Sequence, residues 1–360
     1  MINKNPNLVL KETITKEQKF RGCKFIANFG FNDLFEIYYP LNEKYKNRIL
    51  LAKKGEDNNS NIDIIDIENK ELINQLKNGH ENNKTISMIR YFCNIQTREE
   101  YLISSNNREV IVWDLNTFYI FHKINSNFPE VSYTYSSMIL FNDNNKSDPN
   151  LLIISYSGKQ NNFNFISIYN FERMILLKAI NGQESSECFY LLKWDKYEKK
   201  EYKKTYIIAC CDKQIIIYNI NKDNEELIYS RLKDEKEKFV NYFSACLVNN
   251  NDNDYLYASS GGGAIYVWDL NKKHLINYIR CKNSDEFYGI VDYNEKYLVT
   301  GDISGNLFVI DININKIIYK IVTRKCFGVI SFKKVMHPIY GLSILTCGRD
   351  DSIKLWSTFK

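Results

Sequence analysis

One heptad pattern recurs seven times along the chain: Ile62–Glu68 (IDIIDIE), Val110–Asn116 (VIVWDLN), Ile166–Glu172 (ISIYNFE), Ile215–Asn221 (IIIYNIN), Ile265–Asn271 (IYVWDLN), Leu307–Asn313 (LFVIDIN) and Ile353–Phe359 (IKLWSTF). Each copy opens on an aliphatic residue and carries a large apolar residue at its fourth position: Ile65, Trp113, Tyr169, Tyr218, Trp268, Ile310 and Trp356. Asp or Asn follows in every copy but the last, where Ser357 stands. The steps between fourth positions are 48, 56, 49, 50, 42 and 46 residues. Such a step is too long for a hairpin and too short for an independent domain, so each unit must bury its apolar faces against its neighbours.

Four short strands with their turns fill one step. In the second unit the pattern predicts strands near Thr85–Phe92, Tyr101–Ser105, Val110–Asp114 and Thr117–Ile124, with turn-forming Asn94, Asn106, Asn107 and Asn116. The composition agrees, with 26 Tyr and 21 Phe against 5 Pro and 15 Gly, because aromatic residues fit a pleated, half-buried surface. Trp194-Asp195 repeats the Trp-Asp pair but lies 24 residues before Tyr218, so register assigns it to the first strand of the fourth unit.

Gly79-His80, 32 intervening residues and then Trp113-Asp114 resemble the GH-to-WD frame of WD40 repeats. Gly30-Phe31 before Ile65 and Gly182-Gln183 before Tyr218 fit the same frame with 33 and 34 residues between. The last copy, Leu345–Trp356 (LTCGRDDSIKLW), follows the family's strand, turn and strand most closely. The resemblance runs from about residue 21 to the end. It implies an all-β fold, a single seven-bladed WD40-type β-propeller over residues 21–360, with residues 1–20 as an N-terminal arm. The chain ends just after the third strand of the seventh unit, and Arg21–Phe29 (RGCKFIANF) has strand-like composition. The expectation is a ring closed by this N-terminal strand, since closure removes exposed edges.

Family propellers join a turn Asp, a His after the Gly, a Ser or Thr on the second strand and a Trp on the third by hydrogen bonds. Carried over by position, the resemblance implies Asp350, Thr346 and Trp356 in the last unit and Asp212 in the fourth, beside Tyr218. The second unit offers His80, Ser104 and Trp113, with Asn107 replacing the Asp. The sixth offers Thr300, with Ser304 at the Asp position and Ile310 at the Trp; the fifth offers Trp268. No unit holds the complete set, so apolar packing is expected to carry the fold. The resemblance also implies that the residue preceding the turn Asp points outwards as a partner contact. That residue is Arg349 in the last unit, Cys211 in the fourth and, more loosely, Asn106 in the second.

Little in the chain builds an active site. His80, His122, His274 and His337 are scattered singly, without metal-ligand spacing to Cys or to one another. Ser259–Gly263 (SSGGG) is followed by neither Lys-Ser nor Lys-Thr and reads as a hairpin turn. No catalytic residue, cofactor, small-molecule substrate or metal is expected. The net charge of +5 is a small surplus, and the Lys-rich stretches 193–204 and 233–238 contain acids among the bases, so nucleic acid is not indicated. There is neither a signal-like N-terminus nor a run of 18 apolar residues, so no membrane span is expected. The nine cysteines lack any C-x-x-C pair, which suits reduced thiols in the cytoplasm or another intracellular compartment.

These observations favour a non-catalytic scaffold or adaptor that binds other proteins in an intracellular complex. Two alternatives stay open: a propeller subunit of an RNA- or membrane-associated assembly, which needs a basic face, and a propeller enzyme with a central-channel site, which needs converging carboxylates or histidines.

Overall fold

A computed structural model describes residues 23–357 apart from 29–34, 39, 42, 46–47, 55–60, 68, 70, 81–85, 87, 95–96, 107–108, 126–132, 142–149, 159–163, 182–187, 199–201, 221–227, 233–239, 251–252, 281–285, 295, 323–328, 338–340 and 349–351. The described residues are mostly strand, arranged in four-stranded antiparallel sheets.

β1 (Cys23–Asn28) precedes four sheets that form one compact unit, Leu34–Lys233. In chain order these are β2 (Phe35–Tyr38), β3 (Leu50–Lys54), β4 (Ile62–Asp66) and β5 (Glu71–Leu76); β6 (Met88–Asn94), β7 (Glu99–Ser105), β8 (Glu109–Asp114) and β9 (Tyr119–Asn125); β10 (Tyr133–Phe141), β11 (Leu151–Gly158), β12 (Asn164–Asn170) and β13 (Ile175–Asn181); and β14 (Cys188–Glu198), β15 (Tyr202–Cys211), β16 (Ile215–Asn219) and β17 (Ile228–Leu232). The other compact unit, Met1–Asp33 with Asp234–Lys360, holds three sheets among the described residues. They are β18 (Tyr242–Asn250), β19 (Asn253–Ser260), β20 (Ala264–Asp269) and β21 (His274–Arg280); β22 (Phe287–Asn294), β23 (Tyr297–Asp302), β24 (Asn306–Asp311) and β25 (Lys316–Val322); and β26 (Val329–His337), β27 (Gly341–Gly348) and β28 (Ser352–Ser357), with β1 added as the fourth strand. β1 pairs antiparallel with β28, from Cys23↔Trp356 to Asn28↔Ser352. Trp194 lies in β14, the first strand of its sheet.

Each heptad is the third strand of a sheet. Such a strand has a neighbour on both edges and sheets packed on both faces, so it reads as an apolar run rather than an alternation. Every residue of β20 and β24 is buried, whereas β21, a fourth strand, alternates between exposed positions and part-buried or buried ones. Neighbouring sheets share apolar clusters. Ile62 and Ile64 of β4 pack with Leu102 of β7 and Trp113 of β8, and Val267 of β20 packs with Phe287 of β22 and Phe308 of β24. Small antiparallel sheets joined this way are consistent with a β-propeller.

Two irregularities repeat. In all six third-to-fourth strand pairs within the chain order, the register shifts between the heptad's third and fourth positions, as between Val112 and Trp113 or Val267 and Trp268. A second bulge interrupts the first strand of five sheets near its start, leaving Ser136, Phe189, Phe243, Tyr288 or Ile330 as the extra residue. A bulge re-aims a side chain and stops an edge from pairing, so Phe189, Phe243 and Tyr288 leave the regular alternation of their strands.

Candidate functional site

Of the polar residues singled out by sequence, His80, Ser104 and Asn106 come together at the sheet β6–β9. Trp113 Nε1–H donates to Ser104 Oγ at 2.8 Å, and Ser104 Oγ lies 2.7 Å from His80 Nε2. His80 Nδ1 lies 3.1 Å from Glu109 Oε1. Burial lowers the His80 pKa to about 4, against a weaker upward pull from Glu109, so the ring is neutral near pH 7. Nδ1–H then donates to Glu109, and Nε2 accepts the Ser104 hydroxyl. Lys123 completes the arrangement, with Nζ 2.5 Å from Glu109 Oε2 and donating to the Gly79 carbonyl at 3.2 Å.

Serine, histidine and carboxylate in this order have the spacing of a nucleophilic triad. Access decides against that chemistry, because Ser104 is 0% exposed and its oxygen is held by an indole that is itself 1% exposed. The arrangement ties the second strand to the third. It does not present a nucleophile.

The acid of this network is not at Asn107, which lies outside the described residues. It is Glu109, on β8, and Asn106 supports it through Nδ2–H to Oε1 at 2.9 Å. Leu102 faces Trp113, whereas Ile344 faces Trp356, so the hairpin before Trp113 is one residue shorter than the one before Trp356. Counting back from the Trp across turns of unequal length misplaces the turn residues.

The same geometry corrects two of the expected partner contacts. Asn106 is 0% exposed, because its side chain accepts the Glu109 amide at 2.9 Å and closes the turn. Cys211 is also buried, with its amide bonded to Gln214 O at 3.0 Å and Cys188 opposite it in register. A hydrogen bond to Cys188 and burial raise the Cys211 thiol pKa, so it is no exposed thiolate. Neither residue points outwards. Arg349 and Asp350 lie outside the described residues. Asp212 sits in its turn, part-exposed, 3.8 Å from Lys213 Nζ, and Tyr218 packs inside its cluster.

Thr346 accepts the Trp356 indole N–H at 2.7 Å, matching Ser104 and Trp113. In the sixth unit Thr300 donates to Gly289 O at 2.6 Å, and the turn acid is Asp302, which accepts the Asn306 amide at 2.8 Å; Ser304 is exposed. In the fifth unit the position two residues beyond the Trp partner is Ala258, where the others have Ser104 and Thr346. The Trp268 indole N–H is accordingly buried without a partner among the described residues. Ala258→Ser is expected to supply the acceptor and raise unfolding free energy by about 1 kcal/mol, the net value of such a bond. Urea unfolding of both proteins checks this, and an unchanged or lower midpoint counts against the account.

The more exposed feature lies at the same end of β18–β25, where the second-to-third turns are. The residue before each bulge anchors it: Tyr242 packs edge-on against Tyr266, and Phe287 against Phe308, both at 5.3 Å. The bulged residues, Phe243 and Tyr288, then project from neighbouring sheets and stack at 5.0 Å and 15°, half-buried. Ser259 Oγ reaches the Ser244 and Tyr288 carbonyls at 3.2 and 3.4 Å. Gly261 lies beneath Phe243, since a Cβ there would come within 3.2 Å of the ring. The Tyr288 hydroxyl donates to Glu286 Oε2 at 2.6 Å, and Glu286 O accepts the Ile303 amide at 3.1 Å. Rigid half-buried aromatics of this kind are suited to contact, because ordering them costs little on binding. Motif reasoning missed both residues. Their signal is a pair of adjacent aromatics, Tyr242-Phe243 and Phe287-Tyr288, which breaks strand alternation.

Among the described residues no group of three or more His, Cys, Asp or Glu side chains is placed to hold a metal ion. Among the same residues no helix is long and apolar enough to cross a membrane. Cys93, Cys188, Cys210, Cys211 and Cys246 are free thiols. No family model and no curated protein matches the sequence. Among solved structures the chain is similar to Raptor of Chaetomium thermophilum, with a TM-score of 0.67 over 98% of this chain at 12% identity. The present chain spans 31% of that chain.

Proposed function

We propose that the chain is a WD40-type, seven-bladed β-propeller closed by β1, acting as a non-catalytic scaffold that binds other proteins inside the cell. The observation that carries this reading is the Phe243–Tyr288 platform, stacked across two sheets and stiffened by Gly261, Ser259 and Glu286. The enclosed Ser104–His80–Glu109 arrangement supports the non-catalytic part. Likeness to the Raptor chain supports the fold, and protein partners follow from the surface chemistry.

Affinity purification with quantitative mass spectrometry tests the proposal on the full chain, comparing wild type with Tyr288→Ala, Phe243→Ala, Arg349→Glu and a control at Lys199. Tyr288→Ala is expected to deplete at least one co-purifying protein by tenfold or more, since truncating an interface anchor costs about 2 kcal/mol or more. Melting curves should remain close to wild type for Tyr288→Ala. An unchanged partner list at equal stability removes the platform from the interface.

A further inference from the structure

We propose that the platform receives an arginine side chain of a partner protein, with the Glu286 carboxylate as its counter-charge and the Tyr288 ring as its stacking surface. This rests on the contact reading above and adds the chemistry of the ligand.

Glu286 stands two residues ahead of the bulge that projects Tyr288. Its Oε2 accepts the Tyr288 hydroxyl at 2.6 Å, and among the described residues no Lys or Arg pairs with the carboxylate. A carboxylate offers about four lone-pair positions, so one phenol hydroxyl leaves most of them open. The neighbouring acid, Asp302, is different: it is 0% exposed, and both its oxygens accept hydrogen bonds from Asn306. Among the described residues, Glu286, half-buried beside two aromatic rings, is therefore a negative charge that this end of the two sheets offers to a ligand.

A carboxylate adjoining an aromatic ring favours guanidinium over other cations. Guanidinium is planar and weakly hydrated, and it can lie on a ring while donating N–H bonds in its own plane to the carboxylate. An ammonium group is compact and strongly hydrated, so it forms the ion pair without the stacking. The receiving groups are already ordered: Gly261 holds the Phe243 ring close, Ser259 holds the Tyr288 carbonyl, and Tyr288 fixes Glu286. Binding then needs little rearrangement of this chain.

The probe is an array of immobilised 12-residue peptides of random sequence, read with the wild-type chain and with Glu286→Gln and Tyr288→Ala. Peptides bound by wild type should be enriched in Arg. In solution titrations of the best binders, replacing that Arg by neutral, isosteric citrulline should weaken affinity at least tenfold, and Lys should weaken it less. Glu286→Gln should cause a comparable loss while leaving the melting curve unchanged. Absence of binders, binders without Arg enrichment, or full affinity for Glu286→Gln each overturns the proposal. The two readings fail separately: if Tyr288→Ala loses co-purifying proteins and Glu286→Gln does not, only the arginine assignment falls. If neither changes the partner list, the contact reading falls with it.

Discussion

Replacing Gly79 by alanine is expected to cost roughly 3 kcal/mol of stability. A Cβ at Gly79 would lie 2.2 and 2.3 Å from Cη2 and Cζ2 of Trp113 and 3.0 Å from Cδ1 of Ile111. Real Cβ contacts do not approach that closely, so the indole must move. Trp113 is 1% exposed, packs with Leu102, Ile111 and Leu115, and is held by its bond to Ser104. Overpacking of this kind costs about 1 to 3 kcal/mol, and loss of the indole bond adds about 0.5 to 1.5. The measurement is urea unfolding of wild type, Gly79→Ala, Trp113→Leu and the double variant. If the clash with the ring is the cause, Gly79→Ala should cost far less in the Trp113→Leu background, a coupling expected only for residues in contact. Additive losses would place the glycine's role elsewhere.

The same glycine shows what a sequence can disclose. Gly79-His80 and Trp113 stand out because a third strand buried on both faces must be apolar throughout, and its large fourth residue needs a place to fit. Heptad boundaries and strands accordingly agree closely: Ile215–Asn221 against β16, Ile265–Asn271 against β20 and Leu307–Asn313 against β24. What composition cannot display is the length of a turn in three dimensions. The hairpins before Trp113 and Tyr218 are one residue shorter than that before Trp356, so a count back from the third strand lands on Asn106 and Cys211, which are buried. Bulges are hidden for a related reason. An extra residue changes register without changing residue types, so the pairs Tyr242-Phe243 and Phe287-Tyr288 signal a break in alternation, and only the pairing shows which ring leaves it.

The first-strand bulges also connect the fold to its proposed use. Regular pleating would send Phe243 and Tyr288 to the opposite faces of their sheets from Tyr242 and Phe287, which sit edge-on against Tyr266 and Phe308. One extra residue per strand releases the second aromatic of each pair without disturbing the first. Core and proposed contact surface are thus built from adjacent residues, and the stable sheet fixes the geometry of the half-buried ring.

Removing residues 1–29 is expected to destabilise the chain out of proportion to their number, by roughly 3 to 5 kcal/mol, whereas removing residues 1–18 should cost about 0.5 kcal/mol or less. The reason lies in the sheet order β1-β28-β27-β26, in which β28 is an inner strand only because β1 covers it. Without β1, β28 becomes a bare edge, and the main-chain bonds of the paired stretch Cys23–Asn28 are lost at about 0.5 to 1.5 kcal/mol each. Leu355 of β28 is 2% exposed, so its packing is also at risk. An uncovered apolar edge pairs with other chains, so the shorter protein should scatter light at concentrations where the intact one does not. Urea midpoints and static light scattering on the three proteins provide the comparison. A synthetic peptide spanning residues 21–30, added to the chain lacking 1–29, should recover much of the lost midpoint in a concentration-dependent way. Equal midpoints for the 360-residue chain and the chain lacking 1–29 would mean that β1 is dispensable and that the closure proposed for the ring is wrong.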